Sequence, residues 1–254
     1  MNLTDKTILI TGASRGLGAA CAKAFAGMGA RLALMARSAD ELELVRQGCV
    51  EPERHVIIPV DLTDTSAIPS ALARTTHFLG ELDVVLHVAG GGLGLRSPLL
   101  AAEELLRLLA LNLIAATEIN RLIAPQMMKR KCGHLVHVAS IAASESTGSV
   151  GYNTVKAALA AYVRSLGNVL AVSDVIVTGI LPGGFYAPGN SWDRHQAMNP
   201  EGVKQFINDR LPRKRLADAS ELIPLLAFLC SASATMMGGC MVPIDAGEGK
   251  AFLQ

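Results

Sequence analysis

Lys6 to Gly18 reads KTILITGASRGLG, an apolar run of strand character that ends in three glycines and passes directly into the helix-compatible stretch GLGAACAKAFAGMGA. Strand, glycine turn and helix N-terminus in that order make a site for phosphate, because the free N–H groups and positive dipole end of the helix face the anion. Gly12 can take the tight turn at positive φ, Gly16 lets the backbone come close to a pyrophosphate, and Gly18 lets the helix pack near the strand. The spacing is G-x-x-x-G-x-G, not the G-x-G-x-x-G of the general dinucleotide fingerprint, and it lacks the Lys-Ser/Thr pair of a P-loop. In a chain with 24 glycines, a purely structural turn is the competing explanation.

Downstream, apolar strand-like runs alternate with longer helical patterns: Thr7–Thr11, Arg31–Ala36, His55–Val60, Asp83–Val88, His134–Ala139, Val175–Ile180 and Cys240–Ile244. Such alternation predicts β-α-β units with right-handed crossovers around a parallel sheet of about seven strands. Asp61 with Thr63, Asn199 before Pro200 and Glu201, and Asp218 three residues before Glu221 read as helix starts. There is no internal repeat, low-complexity segment or proline-rich linker, so residues 1–254 are expected to form one α/β domain.

Composition agrees. Half of the 254 residues are hydrophobic and 18% are charged, as suits a parallel sheet buried on both faces. A net charge of +1 without basic runs argues against a nucleic-acid or anionic-membrane partner and for a small-molecule substrate. The N-terminus lacks the basic region, long apolar core and cleavage site of a signal peptide, and Leu105–Ala116, interrupted by Arg107 and Asn112, falls short of a membrane span. A cytoplasmic protein is expected. Cys21, Cys49, Cys132, Cys230 and Cys240 show no C-x-x-C spacing, which suggests reduced thiols and no zinc site.

A second constellation lies in SIAASESTGSVGYNTVKAALAAY. Tyr152 and Lys156 are four residues apart and share one face of a helix. A surface pair on an alanine-rich helix would look the same. However, Ser140 stands at the C-terminal end of an expected strand, where open α/β sheets place their ligands.

With these pieces in order the chain resembles the short-chain dehydrogenase/reductase family over nearly its whole length, including its NADP-dependent 3-oxoacyl-[acyl-carrier-protein] reductase-like members. The resemblance is carried by Thr11-Gly-Ala-Ser-Arg-Gly-Leu-Gly18, Asp61-Leu62, Asn112 within LLALNLIAA, Ser140, Tyr152-x-x-x-Lys156 and Leu181-Pro-Gly-Gly184. It implies a doubly wound Rossmann fold with helices on both faces of the sheet. It also implies that Tyr152 is the acid/base, Ser140 the partner of the substrate oxygen, Lys156 the tuner of Tyr152 and a ribose ligand, and Asn112 the anchor of a proton-relay water. Cofactor contacts are implied at Gly12, Ser14, Arg15, Gly16, Leu17, Gly18, Arg37, Asp61, Leu62, Ala89, Gly90, Tyr152, Lys156, Pro182 and Gly183. Substrate contacts are implied at Ser140, Tyr152, Gly184, Tyr186 and Trp192, with a substrate lid over about 185–212 and no metal.

The residue types suit that chemistry. A tyrosine with an unperturbed pKa of ~10 donates poorly near neutrality, and lowering it to ~7 takes about 4 kcal/mol. A lysine ammonium at ~4–5 Å could supply that at an effective dielectric of ~20. Two features depart from the family pattern. His87-Val88-Ala89-Gly90 replaces Asn-Asn-Ala-Gly, which puts local bracing of the sheet in question. The Ser140–Tyr152 interval is one residue shorter than usual, leaving Ser144 as a second polar candidate.

Cofactor preference is read after the second strand, where Ala36-Arg37-Ser38 has no acidic acceptor for a ribose 2′-OH and offers a guanidinium instead. Arginine fits phosphate oxygens in a fork geometry, and Arg15 could supply a second one, so NADP(H) is expected. A solvated arginine is the alternative. His134 and His137, three apart on a strand, should point to opposite faces and not share a metal, and His87 should be a core residue. Trp192 and His195 belong to the expected lid, although a mobile surface segment would carry aromatics equally well.

The expected function is NADP(H)-dependent hydride transfer between a carbonyl and a secondary alcohol, running as a reductase. A 3-oxoacyl thioester, a small ketone, a sugar and a steroid-like compound all remain open as substrates. The alternative is a cofactor-binding regulator of the same fold with weak or no turnover. Leu99–Met128 is leucine-rich, and Val155–Leu170 carries alanines at 157, 158, 160 and 161 that allow close helix approach. A homodimer or homotetramer is therefore expected.

Overall fold

Successive side chains of each central strand enter opposite cores, as the period of two requires. In β1 (Thr7–Thr11), Ile8 and Ile10 join one fully buried cluster and Leu9 the other. In β2 (Arg31–Ala36), Leu32 and Leu34 alternate in the same way with Ala33 and Met35. Each large side chain so buried contributes about 1.5–3 kcal/mol. The computed structural model describes residues 2–251, so Met1 and Phe252–Gln254 of the expected 1–254 domain lie outside the described residues.

The main sheet adds β3 (Val56–Pro59), β4 (Val84–His87), β5 (Gly133–Val138), β6 (Val175–Pro182) and, at its far edge, β9 (Met241–Ile244). Its order is β3-β2-β1-β4-β5-β6-β9, with every pair parallel. This is the doubly wound arrangement, and the strand order reverses between β1 and β4, where a crevice opens at the carboxyl ends of the strands. Helices α1 (Gly16–Gly27), α2 (Ala39–Gln47) and α9 (Ile223–Leu229) cover one face. Helices α3 (Ile68–Leu79), α5 (Ala115–Arg130) and α6 (Val150–Leu170) cover the other.

The expected first two strands coincide with β1 and β2, while later ends shift by one or two residues. His55 falls outside β3 because its ring serves the neighbouring strand: Nδ1 accepts from Leu32 N–H at 3.2 Å and Nε2 faces the Val50 carbonyl at 2.9 Å. Two of the expected helix starts hold: Asn199 accepts from Gly202 N–H to cap α8 (Pro200–Arg210), and Asp218 and Glu221 form a reciprocal capping box. Asp61 does not cap a helix. It accepts from Thr63 N–H in a tight turn, and Asp64 caps the short helical turn that follows, accepting from Ser66 N–H.

A two-stranded parallel ribbon, β7 (Phe185–Tyr186) with β8 (Ala217–Asp218), closes the base of the segment carrying α7 (Ser191–Met198) and α8. Strands of two residues have no periodicity to betray them. The expected apolar stretch Leu105–Ala116 is also longer than it looked: α4 (Ala102–Leu109) runs through a π turn at Ala110–Ile114 into α5, making a continuous helix Ala102–Arg130. By length and composition alone, that helix and Val150–Ser173 could cross a membrane. Their apolar faces nonetheless pack on the sheet through Ile119, Ile123, Leu159 and Val163.

Candidate active site

The glycine loop leaves α1 ready for an anion. Gly12 has φ +68°, and a Cβ there would lie 2.8 Å from the Ala89 backbone; a Cβ on Gly18 would overlap the Gly12 carbonyl. No side chain caps α1, whose N-cap is Arg15, and its first turn holds no acidic residue. Gly16 N–H donates to the Pro188 carbonyl at 2.9 Å, but among the described residues the N–H groups of Leu17 and Gly18 find no partner. Two unsatisfied donors at a helix N-terminus fit the pyrophosphate of a dinucleotide. Ser14 lies in the same loop, while Ala89 and Gly90 follow β4 across the crevice.

Four chemically relevant side chains converge on this end of the sheet. Ser140 follows β5 and accepts from Ala142 N–H at 3.2 Å, which starts the next turn. Its hydroxyl lies near enough to the Tyr152 phenol to favour the ionised form, whereas Ser144 is exposed and turns back to the Ile141 carbonyl at 3.3 Å. Tyr152 and Lys156 project from the first two turns of α6, with Lys156 Nζ 5.7 Å from the Tyr152 ring centre. Asn112 sits in the π turn, a local widening often found at functional sites. Its Oδ1 accepts from Gly91 N–H at 2.9 Å, and its Nδ2 donates to the Gly91 and Leu108 carbonyls at 3.0 and 2.9 Å. The side chain thus clamps the loop after β4. Gly90 lies between Asn112 and Lys156, so close that a Cβ would stand 2.8 Å from one and 3.0 Å from the other.

Burial sets the protonation of the pair. Lys156 is 3% exposed, and desolvation pulls its ammonium down from 10.5 to about 8, although Nζ donates to the Val138 carbonyl at 3.0 Å. Desolvation likewise pushes the Tyr152 phenol above its usual 10, partly offset by the nearby Ser140 hydroxyl. Burial therefore outweighs the lowering expected from Lys156.

Histidine replaces asparagine at position 87 without loosening the sheet. His87 stacks on His137 with ring centres 4.6 Å apart, and its Nε2 meets Asn120 Oδ1 at 2.8 Å. Asn120 Nδ2 in turn reaches His137 Nε2 and the Tyr162 hydroxyl, each at 3.1 Å, and His137 Nδ1 meets the Thr178 carbonyl at 3.1 Å. A single assignment satisfies all four contacts: His87 carries its proton on Nε2, His137 on Nδ1, and both rings are neutral. Burial agrees, lowering His87 to about 4 and His137 well below its usual value. His134 lies on the opposite face, next to Leu229, so the two strand histidines do not converge.

At the other end of the crevice, Arg37 is exposed just after β2 and close enough to Asp61 to help hold that carboxyl below its usual value, chiefly set by Thr63 N–H. Leu62 is buried beside it. Arg15 is exposed and packs against Gly189 of the 185–212 segment. In that segment the Tyr186 hydroxyl donates to Asp193 at 3.0 Å, and Trp192 packs on Phe206 at 4.4 Å and edge-on to His195 at 5.7 Å. His195 contacts Arg96 of the loop after β4. Both aromatic side chains are therefore engaged within the segment itself.

Pro182, Gly183 and Gly184 end β6 as a turn. Gly184 N–H donates to Glu248 at 2.6 Å, and Glu145, five residues beyond Ser140, accepts from Lys250 and Ala251 N–H at 2.6 and 2.9 Å. Glu145 and Glu248 escaped sequence reasoning. The sole hint is an acid between two glycines at Gly247-Glu248-Gly249, which looks like any solvated tail.

A doubly wound sheet with a helix N-terminus open to an anion and a Ser-Tyr-Lys-Asn cluster at the carboxyl ends of its strands is the framework of a nicotinamide-dependent oxidoreductase acting on a small molecule. The chain belongs to the short chain dehydrogenase family, whose family model matches residues 6–197. Oxidoreductase UcpA of Salmonella typhimurium is 31% identical over 97% of this chain and 95% of its own. Among solved structures, L-sorbose reductase from Gluconobacter frateurii, complexed with NADPH and L-sorbose, superposes with a TM-score of 0.88, at 28% identity over 99% of both chains. The 3-oxoacyl (acyl-carrier-protein) reductase of Agrobacterium tumefaciens, with NADP bound, gives a TM-score of 0.89, at 25% identity over 97% of this chain and 95% of that one.

Proposed function

We propose that this chain is an NADP(H)-dependent carbonyl reductase that forms a secondary alcohol, with Tyr152 as the proton donor and acceptor. The observation that carries this reading is the convergence of Ser140, Tyr152, Lys156 and Asn112 in the crevice faced by the open N-terminus of α1. Bound there, the nicotinamide would supply the hydride. Leu17 and Gly18 N–H, with Gly12, Ser14 and Gly16 shaping the loop, would hold the pyrophosphate, and Arg37 and Arg15 the 2′-phosphate. Asp61 and Leu62 would border the adenine end; Ala89, Gly90 and Lys156 the ribose; Pro182 and Gly183 the nicotinamide. Two similar solved structures are reductases with NADP or NADPH bound, which supports both the direction and the cofactor.

The raised phenol suits reduction. It keeps its proton at neutral pH and surrenders it only to a strongly basic oxygen, such as the alkoxide that develops as the carbonyl is reduced. Ser140 holds that oxygen beside the phenol. Lys156, with a pKa of about 8, is charged at pH 7, and its ammonium, facing the Tyr152 ring, favours the resulting phenolate. Asn112 keeps Gly91 and the adjoining loop fixed against the cofactor site. Residues 185–212, with Gly184, Tyr186 and Trp192, would form the substrate lid of a single cytoplasmic domain that assembles as a homodimer or homotetramer.

The test is loss of NADPH absorbance with a panel comprising a 3-oxoacyl thioester, small ketones, a ketose and a steroid-like ketone. Turnover of at least one, faster with NADPH than with NADH, is expected. Tight NADPH binding without turnover of any would favour the regulator reading instead.

A further inference from the structure

Among the described residues, Lys156 and Glu248 are the only buried members of the Lys, Arg, Asp and Glu set. Lys156 belongs to the catalytic cluster. Glu248, 4% exposed, has no assigned part in it. Burying a carboxylate destabilises a protein unless its lone pairs are well used, and this one makes no salt bridge and a single hydrogen bond, from Gly184 N–H at 2.6 Å. Desolvation accordingly raises its pKa, opposed by that N–H and by Arg210 on α8 and reinforced by Asp245 and Glu145.

The place where this hydrogen bond is made gives it meaning. Gly184 ends the turn expected to border the nicotinamide, and Gly183 is so close to Glu248 that a Cβ would stand 2.6 Å from its Oε2. Beside the turn lies a cavity of about 430 Å³, lined by Gly184, Leu211, Arg215, Ile244 and Ala246, while the Gly184 carbonyl accepts from Ala217 N–H at 3.2 Å and Gly183 N–H donates to the Ile244 carbonyl at 3.3 Å. The segment carrying Glu248 is itself tied down. Asp245 accepts from Gly247 and Gly249 N–H at 3.0 and 2.9 Å, and Glu145 accepts from Lys250 and Ala251 N–H. Gly249 runs against the loop after Ser140, where a Cβ would stand 2.8 Å from Glu145 and 3.6 Å from Ile141.

We infer that residues 245–251 form a clasp joining the cofactor-side turn to the serine loop, and that Glu248 is its positioning residue. Glu248 fixes Gly183–Gly184 from one end and Glu145 fixes the serine loop from the other. The β5–β6 ladder already brings Ser140 and the turn together, with Ala139 N–H donating to the Ile180 carbonyl at 3.0 Å, and the clasp adds a second tie through a segment that touches neither reacting atom. This inference rests on the nicotinamide-dependent function proposed above.

The experiment is a fluorescence titration of NADPH, alongside steady-state kinetics with a ketone the wild type reduces, for Glu248→Ala, Glu248→Gln and Glu145→Ala. Glu248→Ala should raise the NADPH Kd at least tenfold and lower kcat. Glu248→Gln, whose amide oxygen still accepts from Gly184 N–H, should recover both to within about threefold. Glu145→Ala should raise the ketone KM at least fivefold with the NADPH Kd within twofold. A folded Glu248→Ala with wild-type Kd and kcat, or a glutamine variant as impaired as the alanine one, would overturn the assignment. If Glu248→Ala does not fold, an unmoved KM in Glu145→Ala overturns the clasp. Wild-type protein that binds neither NADPH nor NADH would remove the proposed function and this inference together, whereas unchanged affinity in Glu248→Ala removes the inference alone.

Discussion

Lys156→Met should make the protein more stable while destroying its turnover. The ammonium is 3% exposed, and its pKa falls from 10.5 to about 8 on burial. At about 1.36 kcal/mol per pH unit, that drop means the folded state carries the charge at pH 7 at a cost of roughly 3 kcal/mol. Methionine removes the charge and keeps an unbranched stem of similar length. It forfeits the hydrogen bond to the Val138 carbonyl, worth about 1–2 kcal/mol. The net expectation is a gain of about 2 kcal/mol, or roughly 4–8 °C in Tm for a chain of this size. The sign with pH follows from linkage. Between pH 8 and 10.5 the unfolded chain binds a proton that the folded chain has released, so wild-type stability rises with pH across that window. Urea denaturation without added dinucleotide should therefore show the variant ahead at pH 7 and the gap closing by pH 10. A variant less stable than wild type at pH 7, or a gap that does not change with pH, would refute the claim that burial strains this lysine.

Arg37→Asp should weaken NADPH binding and relatively favour NADH, since it exchanges a phosphate partner for a ribose acceptor; equal loss for both dinucleotides in titration would transfer the role to Arg15. His87→Ala should lower stability by about 2–4 kcal/mol in urea denaturation, because it empties a stacked core position and strands Asn120 Oδ1; a change under about 1 kcal/mol would mean that the histidine network braces nothing. Ala157 and Ala161 lie on the exposed face of α6, while Leu106 of α4 and Ile114 of the π turn are also exposed. Light scattering should find a dimer or tetramer that Ala161→Glu dissociates, and a clean 26.6 kDa species for the wild type would exclude this assembly.

The sheet was legible because each strand is a short buried run between helical stretches, and a parallel sheet covered on both faces leaves no other pattern. KTILITG and its glycines could be read outward to the phosphate loop for the same reason: positive φ and close approach are demands on residue type, written locally. Ser140, Tyr152 and Lys156 could be named together because two of them share a helix face. Protonation was not legible. The direction of the Tyr152 shift depends on how much water the surrounding elements exclude, and those elements come from across the chain. The bracing by His87 needed Asn120, His137 and Tyr162, brought in from three other elements. Glu248 was hidden for the same reason, since its partner Gly184 is 64 residues away.

The central claim is that Tyr152 delivers a proton during NADPH-dependent carbonyl reduction, and one paired measurement tests it most directly. NADPH affinity and ketone turnover are compared for wild type and Tyr152→Phe. The phenylalanine ring keeps the packing and loses the hydroxyl, so NADPH should bind within about twofold of wild type while turnover falls at least 100-fold, a barrier rise of about 2.7 kcal/mol or more. Turnover in Tyr152→Phe within about tenfold of wild type, a barrier change of only ~1.4 kcal/mol, would contradict the assignment.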